Sequence, residues 1–234
     1  MTSSILFILV SDILYENSFH NINLFNNYIL ELKKLYIVDV ALIVSNSKYF
    51  DYYDNIIEIK YKYCNNNKQL SKVCDFITNN SLCYDWYVKT RPEIEIKEYL
   101  NFDKFCSNSI NGRVREYVGP LRIENGTTLR GIGFLPKEQF TNEILYNNKL
   151  TKITMDDTIY IFHNNVIING GFDKLNNNNQ KENEWFHTLV WNSRNINLNV
   201  VGIDCLFTYF EEIKIKLLKN ENKVNYYYSG NVNL

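Results

Sequence analysis

The sequence predicts an α/β protein with a central mixed, mostly parallel sheet and helices on its faces. Two features indicate this class. The first hundred residues alternate short apolar runs, typical of strands buried on both faces, with segments whose apolar residues recur at helical spacing. Farther along, Asn125-Gly126 separates two β-prone segments, which predicts a β-hairpin in the second half. Together they favour a single Rossmann-like domain.

The first half contains the apolar runs that predict the parallel strands. These strands are expected at residues 5–10, 38–44, 56–59 and 86–96. Helices are expected at residues 19–35 and 68–79, because their apolar residues return every three or four positions and so form one face. Alternation of these elements favours a parallel sheet covered by helices.

The second half is less regular. Further strands are expected at 158–162 and 200–210, and helices at 184–193 and 211–219. Loops are expected at 131–136 and at 175–183, which contains four consecutive asparagines, and residues 226–228 show no readable structure. With no repeat and no linker, we expect one domain over residues 1–220, divided near residue 100 and followed by a tail at 221–234.

Composition excludes several functional classes. The net charge is −1, from 25 basic and 26 acidic residues, which argues against a nucleic-acid partner. No apolar run approaches the roughly 20 residues of a membrane span. The 36 asparagines do not indicate disorder, because 18 Tyr and 14 Phe accompany them. Five cysteines without CxxC spacing predict reduced, mostly buried thiols in a cytoplasmic protein.

Polar residues beside the predicted strands are the first candidates for a site. Ligands of open α/β sheets bind beyond the carboxyl ends of the strands, where Ser11 and Asp12 follow the first strand. Asp156 and Asp157 lie just before a later strand. An aspartate there could face a substrate hydroxyl as a general base or an anchor. The alternative, which the spacing alone favours, is a helix cap or a turn.

A second cluster interrupts the apolar pattern of the predicted strand 86–96. Lys89, Arg91, Glu93 and Glu95 alternate, so on an extended chain they would share one face. Two carboxylates suit a hard divalent cation that also binds phosphate oxygens, and arginine offers a bidentate fork for phosphate. The alternative is an edge strand whose Lys and Glu side chains pair in solvent. Arg113, in a polar stretch, could meet phosphate or simply be solvated.

The segment 84–93, YDWYVKTRPE, resembles the "YD-apolar-K/R-x-R-P-D" motif of small GT-A-fold glycosyltransferases. Residues 156–160, DDTIY, resemble the Asp-rich element that follows in those enzymes, and residues 183–187 resemble its Glu-led helix. The chain is therefore similar, over about residues 4–208, to the GT-A-fold glycosyltransferases of large DNA viruses, including the N-terminal domains of multidomain chlorella-virus enzymes.

The resemblance implies a GT-A-like domain, with a nucleotide-binding half at 1–100 and an acceptor half at 101–220. It implies a nucleotide-sugar donor, most simply a UDP-sugar, a glycan acceptor, and Mn²⁺ or Mg²⁺. Viral origin would place the enzyme in the host cytoplasm or a viral factory.

The resemblance implies that Glu93 and Glu95 bind the metal and that Asp157 or Asp156 is the catalytic residue. It also implies that the donor is bound by Ser11, Asp12, Lys89, Arg91 and Arg113.

One residue departs from the family pattern. Glu93 stands where the motif has Asp, and its extra methylene would hold a metal farther from the strand. A donor held mainly by Lys89, Arg91 and Arg113 is therefore an alternative. A non-catalytic relative, kept as a structural or partner-binding protein, is another. The sequence is compatible with either inversion or retention of configuration at the anomeric carbon.

Overall fold

The structure is a computed structural model, and it describes residues 2–11, 18–65, 69–92, 94–96, 98–124, 127–134, 153–170, 196–201, 205–207, 218–219 and 225–229. The helices in these ranges are α1 (Ser18–Leu32), α2 (Phe50–Asp54), α3 (Gln69–Asn79) and α4 (Asn164–Ile168). The strands of the first hundred residues are β1 (Ser4–Ser11), β2 (Ile37–Val44), β3 (Tyr61–Cys64), β4 (Trp86–Thr90) and β5 (Ile94–Ile96). The later strands are β6 (Ser109–Glu124), β7 (Thr127–Phe134), β8 (Ile153–His163), β9 (Asn197–Val200), β10 (Cys205–Phe207), β11 (Leu218–Lys219) and β12 (Asn225–Ser229).

Most of the strands form one mixed sheet in the order β11-β12-β7-β6-β8-β4-β1-β2-β3, with β9 also paired to β6. The first strands are parallel: β1 pairs with β2, β2 with β3, and β1 with β4. Since β2 and β4 lie on opposite sides of β1, the direction in which strands are added reverses at β1. This reversal is the topological switch point of the sheet.

The remaining part of the sheet is mainly antiparallel. Strand β8 pairs with β4 and β6, and β6 pairs with β7. The predicted hairpin is confirmed, because Glu124 pairs with Thr127 on either side of the two residues Asn125 and Gly126, which themselves lie outside the described residues. The predicted α/β class with a mixed sheet flanked by helices is confirmed as well.

The sheet separates two apolar cores, because successive side chains of β1 point to opposite faces. Leu6, Ile8 and Val10 pack on the face that carries Val73 and Phe76 of α3.

On the other face, Ile5, Phe7 and Leu9 pack with Ile22 and Phe25 of α1. Burial on both sides explains why β1 is apolar throughout instead of alternating.

Several predicted elements differ from the structure. Residues 56–59 precede β3 and are not a strand, whereas residues 131–134 belong to β7 instead of a loop. The end of the predicted helix 211–219 forms β11, and residues 226–228 lie in β12. The predictions for 175–193 lie outside the described residues. The division of the chain at residues 100 and 220 stays a prediction.

The predicted strand 86–96 is two strands in two sheets. Strand β4 ends at Thr90, and the amide of Ile94 donates to the carbonyl of Arg91 at 3.1 Å, which closes a tight turn. Pro92 lies inside this turn, where its fixed φ and missing N–H favour a chain reversal over a continued ladder. Strand β5 then pairs antiparallel with β10 in a separate two-stranded sheet.

Two predictions drawn from composition can be compared with the described residues. Cys64, Cys83 and Cys106 are free and exposed, so the expectation of mostly buried thiols is wrong for these three. They lie at element ends and in connections, where the sheet does not cover them. Within the described ranges, no helix has the length and apolar character needed to cross a bilayer.

Candidate functional site

The switch point places the ends of β1 and β4 beside each other. Leu9 pairs with Thr90 in the parallel ladder, so Ser11, the last residue of β1, lies next to the chain that leaves β4. In open α/β sheets the crevice outside two such strand ends is where ligands bind. The backbone therefore brings Ser11 close to the Lys89–Arg91 cluster; Asp12 lies outside the described residues.

Lys89 is a buried cation in this region. Its side chain is 1% exposed, and its Nζ lies 5.4 Å from the centroid of the Tyr160 ring. Lys89 pairs with Tyr160 across β4 and β8, which explains the contact. The aromatic face attracts the ammonium group. In such surroundings an ammonium attracts an anion more strongly than it would in water.

Thr90 and Arg91 continue the cluster where β4 ends. Thr90 is fully buried, and its Oγ1 has no hydrogen-bond partner within the described part of the chain. Arg91 is half-buried and begins the turn that contains Pro92. A buried hydroxyl without a partner costs free energy, so the carboxyl end of β4 carries a local polar cost at Thr90.

The backbone also brings Arg113, Asp156 and Asp157 to this part of the sheet. Strand β6 pairs with β8 at Gly112 and Tyr160 and again at Val114 and Met155, and the register shifts between these pairs. Arg113 alone is therefore opposite residues 156–159 of β8, which form a bulge. Bulges commonly redirect side chains beside active sites. Tyr160 borders this bulge and is also the strand partner of Lys89.

Glu95 lies apart from this arrangement. It pairs with Leu206 in the small sheet formed by β5 and β10, beyond the turn at Pro92. The prediction that Lys89, Arg91, Glu93 and Glu95 share one face of an extended strand is wrong, because this turn interrupts the strand.

The metal prediction rests on residues that are only partly described. In the ranges that the structure covers, no three His, Cys, Asp or Glu side chains are grouped to hold a metal ion. Glu95, in its separate sheet, does not by itself form such a site. Glu93 and Asp12 lie outside the described residues, so the requirement for Mn²⁺ or Mg²⁺ stays a prediction.

The first two residues of the 84–93 motif have a different role from the rest. They precede β4 and so lie at the amino edge of the sheet, opposite the candidate site. The Tyr84 hydroxyl donates to Asp39 at 2.6 Å, and Lys60 Nζ donates to the same carboxylate oxygen at 2.5 Å. The neighbouring carboxylate of Asp85 accepts bonds from the amide of Ser4 at 2.7 Å and from its hydroxyl at 2.9 Å.

These contacts shift the acidity of the amino-edge groups. Burial acts to raise the pKa of Asp39, but the hydrogen bonds from Lys60 and Tyr84 outweigh it and the pKa is lowered. The bond to Asp39 raises the pKa of Lys60. Burial, reinforced by the carboxylate, raises the pKa of Tyr84. The groups are thus held as a charged pair with a neutral phenol, a structural clamp.

The clamp leaves little trace in the sequence. Its only signal was Asp39, a single charge in the apolar segment 37–44, whose partners are 21 and 45 residues distant. The motif is therefore divided by β4: its Tyr-Asp part fastens the amino edge, while its Lys-Thr-Arg-Pro part forms the carboxyl edge.

Comparisons with known proteins give only remote structural matches. No protein-family model matches the chain, and no curated protein matches it. One solved structure that resembles it is a 4-diphosphocytidyl-2C-methyl-D-erythritol synthase from Anaerococcus prevotii, with 9% identity, a TM-score of 0.49, and coverage of 86% of this chain and 88% of that one. A nucleoside-diphosphate-sugar pyrophosphorylase from Vibrio cholerae has 10% identity, a TM-score of 0.48, and coverage of 87% and 95%.

A glycosyltransferase from Streptococcus pneumoniae also matches, with 8% identity and a TM-score of 0.41, over 86% of this chain and 45% of that one.

Proposed function

We propose that the protein is a glycosyltransferase of the hexosyl- or deoxyhexosyltransferase class. It moves a sugar from a nucleoside-diphosphate sugar to a glycan or another hydroxyl acceptor. The observation that carries the proposal is the position of Lys89, Thr90 and Arg91 at the carboxyl end of β4, beside β1, where the strand order reverses. The resemblance of residues 84–93 to the glycosyltransferase motif supports the same site.

The cations at this edge match the chemistry of the donor. Breaking the bond between the sugar and the diphosphate leaves negative charge on the departing phosphate oxygens. Lys89 is buried and Arg91 half-buried, so their attraction to that charge is less screened than at an open surface. Arg91 can bind two phosphate oxygens at once, whereas lysine acts as a point charge.

The β8 bulge supports a place for the acceptor. Its residues 156–159 are opposite Arg113 and border Tyr160, the partner of Lys89. A carboxylate of Asp157 or Asp156 would take the proton of the acceptor hydroxyl if the reaction inverts the anomeric centre. Mn²⁺ or Mg²⁺, when bound through Glu93 and further oxygen ligands, would supply additional charge neutralisation at the diphosphate.

The direct experiment is titration calorimetry of the protein with UDP, GDP and CDP, each with and without Mn²⁺. We expect at least one of them to bind. The variants Lys89→Met and Arg91→Ala should each weaken that binding about tenfold or more, because a hydrogen bond to a charged group contributes about 1.5–3 kcal/mol. Met replaces the buried lysine with an apolar side chain of similar volume, which proteins often tolerate.

The control is Lys34→Met. Lys34 follows α1 and pairs with Glu31 at the opposite edge of the sheet, so its loss removes the same charge without touching the site. Binding should then stay unchanged. If the parent protein binds none of the three nucleotides, the proposal is wrong. An equal loss in Lys34→Met and Lys89→Met would mean that net charge, not the site, attracts the ligand.

A further inference from the structure

Asn111 is a buried polar residue that joins three strands. It lies in β6, where its backbone is opposite Ile161 of β8 on one side and Asn199 of β9 on the other, and its side chain is fully buried. Its Nδ2 donates to the carbonyl of Ile161 at 3.1 Å, and its Oδ1 accepts from Nδ2 of Asn199 at 2.7 Å. One amide group thus connects β8, β6 and β9.

The same side chain also fixes the turn that leads into β6. Its Oδ1 accepts from the amide of Cys106 at 2.9 Å, while its Nδ2 donates to the carbonyls of Cys106 at 3.0 Å and Ser109 at 3.1 Å. Both ends of the amide of Asn111 are therefore hydrogen-bonded. A buried polar group with all its partners holds its surroundings rigidly, and loss of one member leaves the others unsatisfied.

The bulge begins one step beyond this junction. The next pair along β6, Gly112 with Tyr160, is the last regular pair before the register shift, and residues 156–159 directly precede Tyr160 in β8. The bond from Asn111 to β8 therefore supplements the backbone pairing of β6 and β8 immediately beside the register shift.

We propose that Asn111 is a positioning residue that fixes the backbone of β8 directly after the bulge that carries Asp156 and Asp157, and so sets where these residues lie relative to the donor site. This inference rests on the proposed function. Its physical basis is that transfer requires the acceptor and the departing diphosphate to be aligned closely, and small displacements of a positioned group cost large factors in rate.

The test compares Asn111→Ala and Asn199→Ala with Val40→Ala. Val40 is buried in β2, four strands from β6 and thus about 19 Å away, so its truncation destabilises the fold without touching the junction. Hydrogen exchange is measured by mass spectrometry for peptides covering 109–114, 153–163 and 37–44. Steady-state hydrolysis of a sugar nucleotide gives kcat and KM for each variant.

We expect exchange to rise in 109–114 and 153–163 of Asn111→Ala, with little change in 37–44, and kcat to fall about tenfold or more while KM stays within about twofold. Asn199→Ala loses one bond and should change the same peptides less; it decides the question if Asn111→Ala does not fold. A uniform rise in exchange, or a kcat no lower than that of Val40→Ala, would overturn the proposal.

Failure of the proposed function has a different signature. If the parent protein hydrolyses no sugar nucleotide and binds no nucleotide, the function is wrong, but the exchange measurements still decide whether Asn111 holds the bulge. A rise confined to 109–114 and 153–163 supports that role, and a uniform rise contradicts it.

Discussion

The clamp at the amino edge offers a sharp test of what holds β4 in place. Tyr84→Phe removes one hydroxyl and keeps the ring, which is 7% exposed and packs edge-on against the rings of Tyr61 and Tyr87. The carboxylate of Asp39 then keeps Lys60 as its hydrogen-bond donor in the clamp. The Tyr84 hydroxyl also bonds to Lys60 Nζ at 3.1 Å and to the Tyr61 hydroxyl at 3.2 Å, so the variant removes these two contacts together with the shorter bond to Asp39.

The expected cost follows from the surroundings of the two donors. The Tyr84 hydroxyl is only partly accessible and bonds to a charged acceptor at 2.6 Å, for which about 1.5–3 kcal/mol is typical. The side chain of Lys60 is 51% exposed, so its ion pair with Asp39 contributes about 0.2–1 kcal/mol despite the 2.5 Å separation. Tyr84→Phe should therefore lower the free energy of unfolding more than Lys60→Met does.

The assay is urea denaturation at pH 7 for the parent protein, Tyr84→Phe and Lys60→Met. Tyr61→Phe is the matched control, because it also removes one phenol hydroxyl, 3.2 Å from that of Tyr84 but without a bond to Asp39 among those described. Its cost should stay below about 1 kcal/mol. If Lys60→Met costs as much as Tyr84→Phe, the charge pair and not the phenol dominates, and the reasoning from burial is refuted. Nucleotide binding should be the same in all four proteins, since the clamp is at the edge opposite the site.

Two further predictions concern the same edge. The folded-state pKa of Asp39 is lowered, so the stability that its carboxylate gives the fold is fully present above the unfolded value of about 3.9 and declines as the pH falls through the lower folded value. The free energies of unfolding of the parent protein and of Asp39→Asn should therefore converge as the pH falls below about 4. A difference that persists unchanged to about pH 2 would contradict this. Asp85→Ala removes the acceptor of two bonds from Ser4, and Ser4→Ala removes the hydroxyl that donates to Asp85 and accepts from its amide, so each variant should cost about 1–2 kcal/mol in urea denaturation. A cost for Ser4→Ala far below that of Asp85→Ala would contradict this.

The strands buried on both faces could be predicted well from the sequence. Strands β1 and β2 and helices α1 and α3 were located to within a few residues, because continuous apolar runs and helical spacing reflect burial directly. The prediction failed at β3, where burial is partial. Strand β3 alternates half-buried and exposed residues, and its predicted position was occupied by the turn before it.

The candidate site could be predicted in its residues but not in its geometry. Lys89 and Arg91 stood out because they interrupt an apolar strand. Glu95, which was expected beside them, lies in a separate sheet because the chain turns at Pro92. The spacing of apolar residues does not reveal this turn. Asn111 gave no signal, since an asparagine in a chain with 36 of them is unremarkable until its partners are known.

The α/β class, the hairpin at Asn125-Gly126 and the cluster that ends β4 can be predicted from local sequence pattern. The position of β4 beside β1 at the switch point, and that of Arg113 opposite the bulge at 156–159, become visible only in the assembled sheet. These relations join residues far apart in the chain. Strand order and register depend on the packing of the whole sheet, and no local window of residues contains that information.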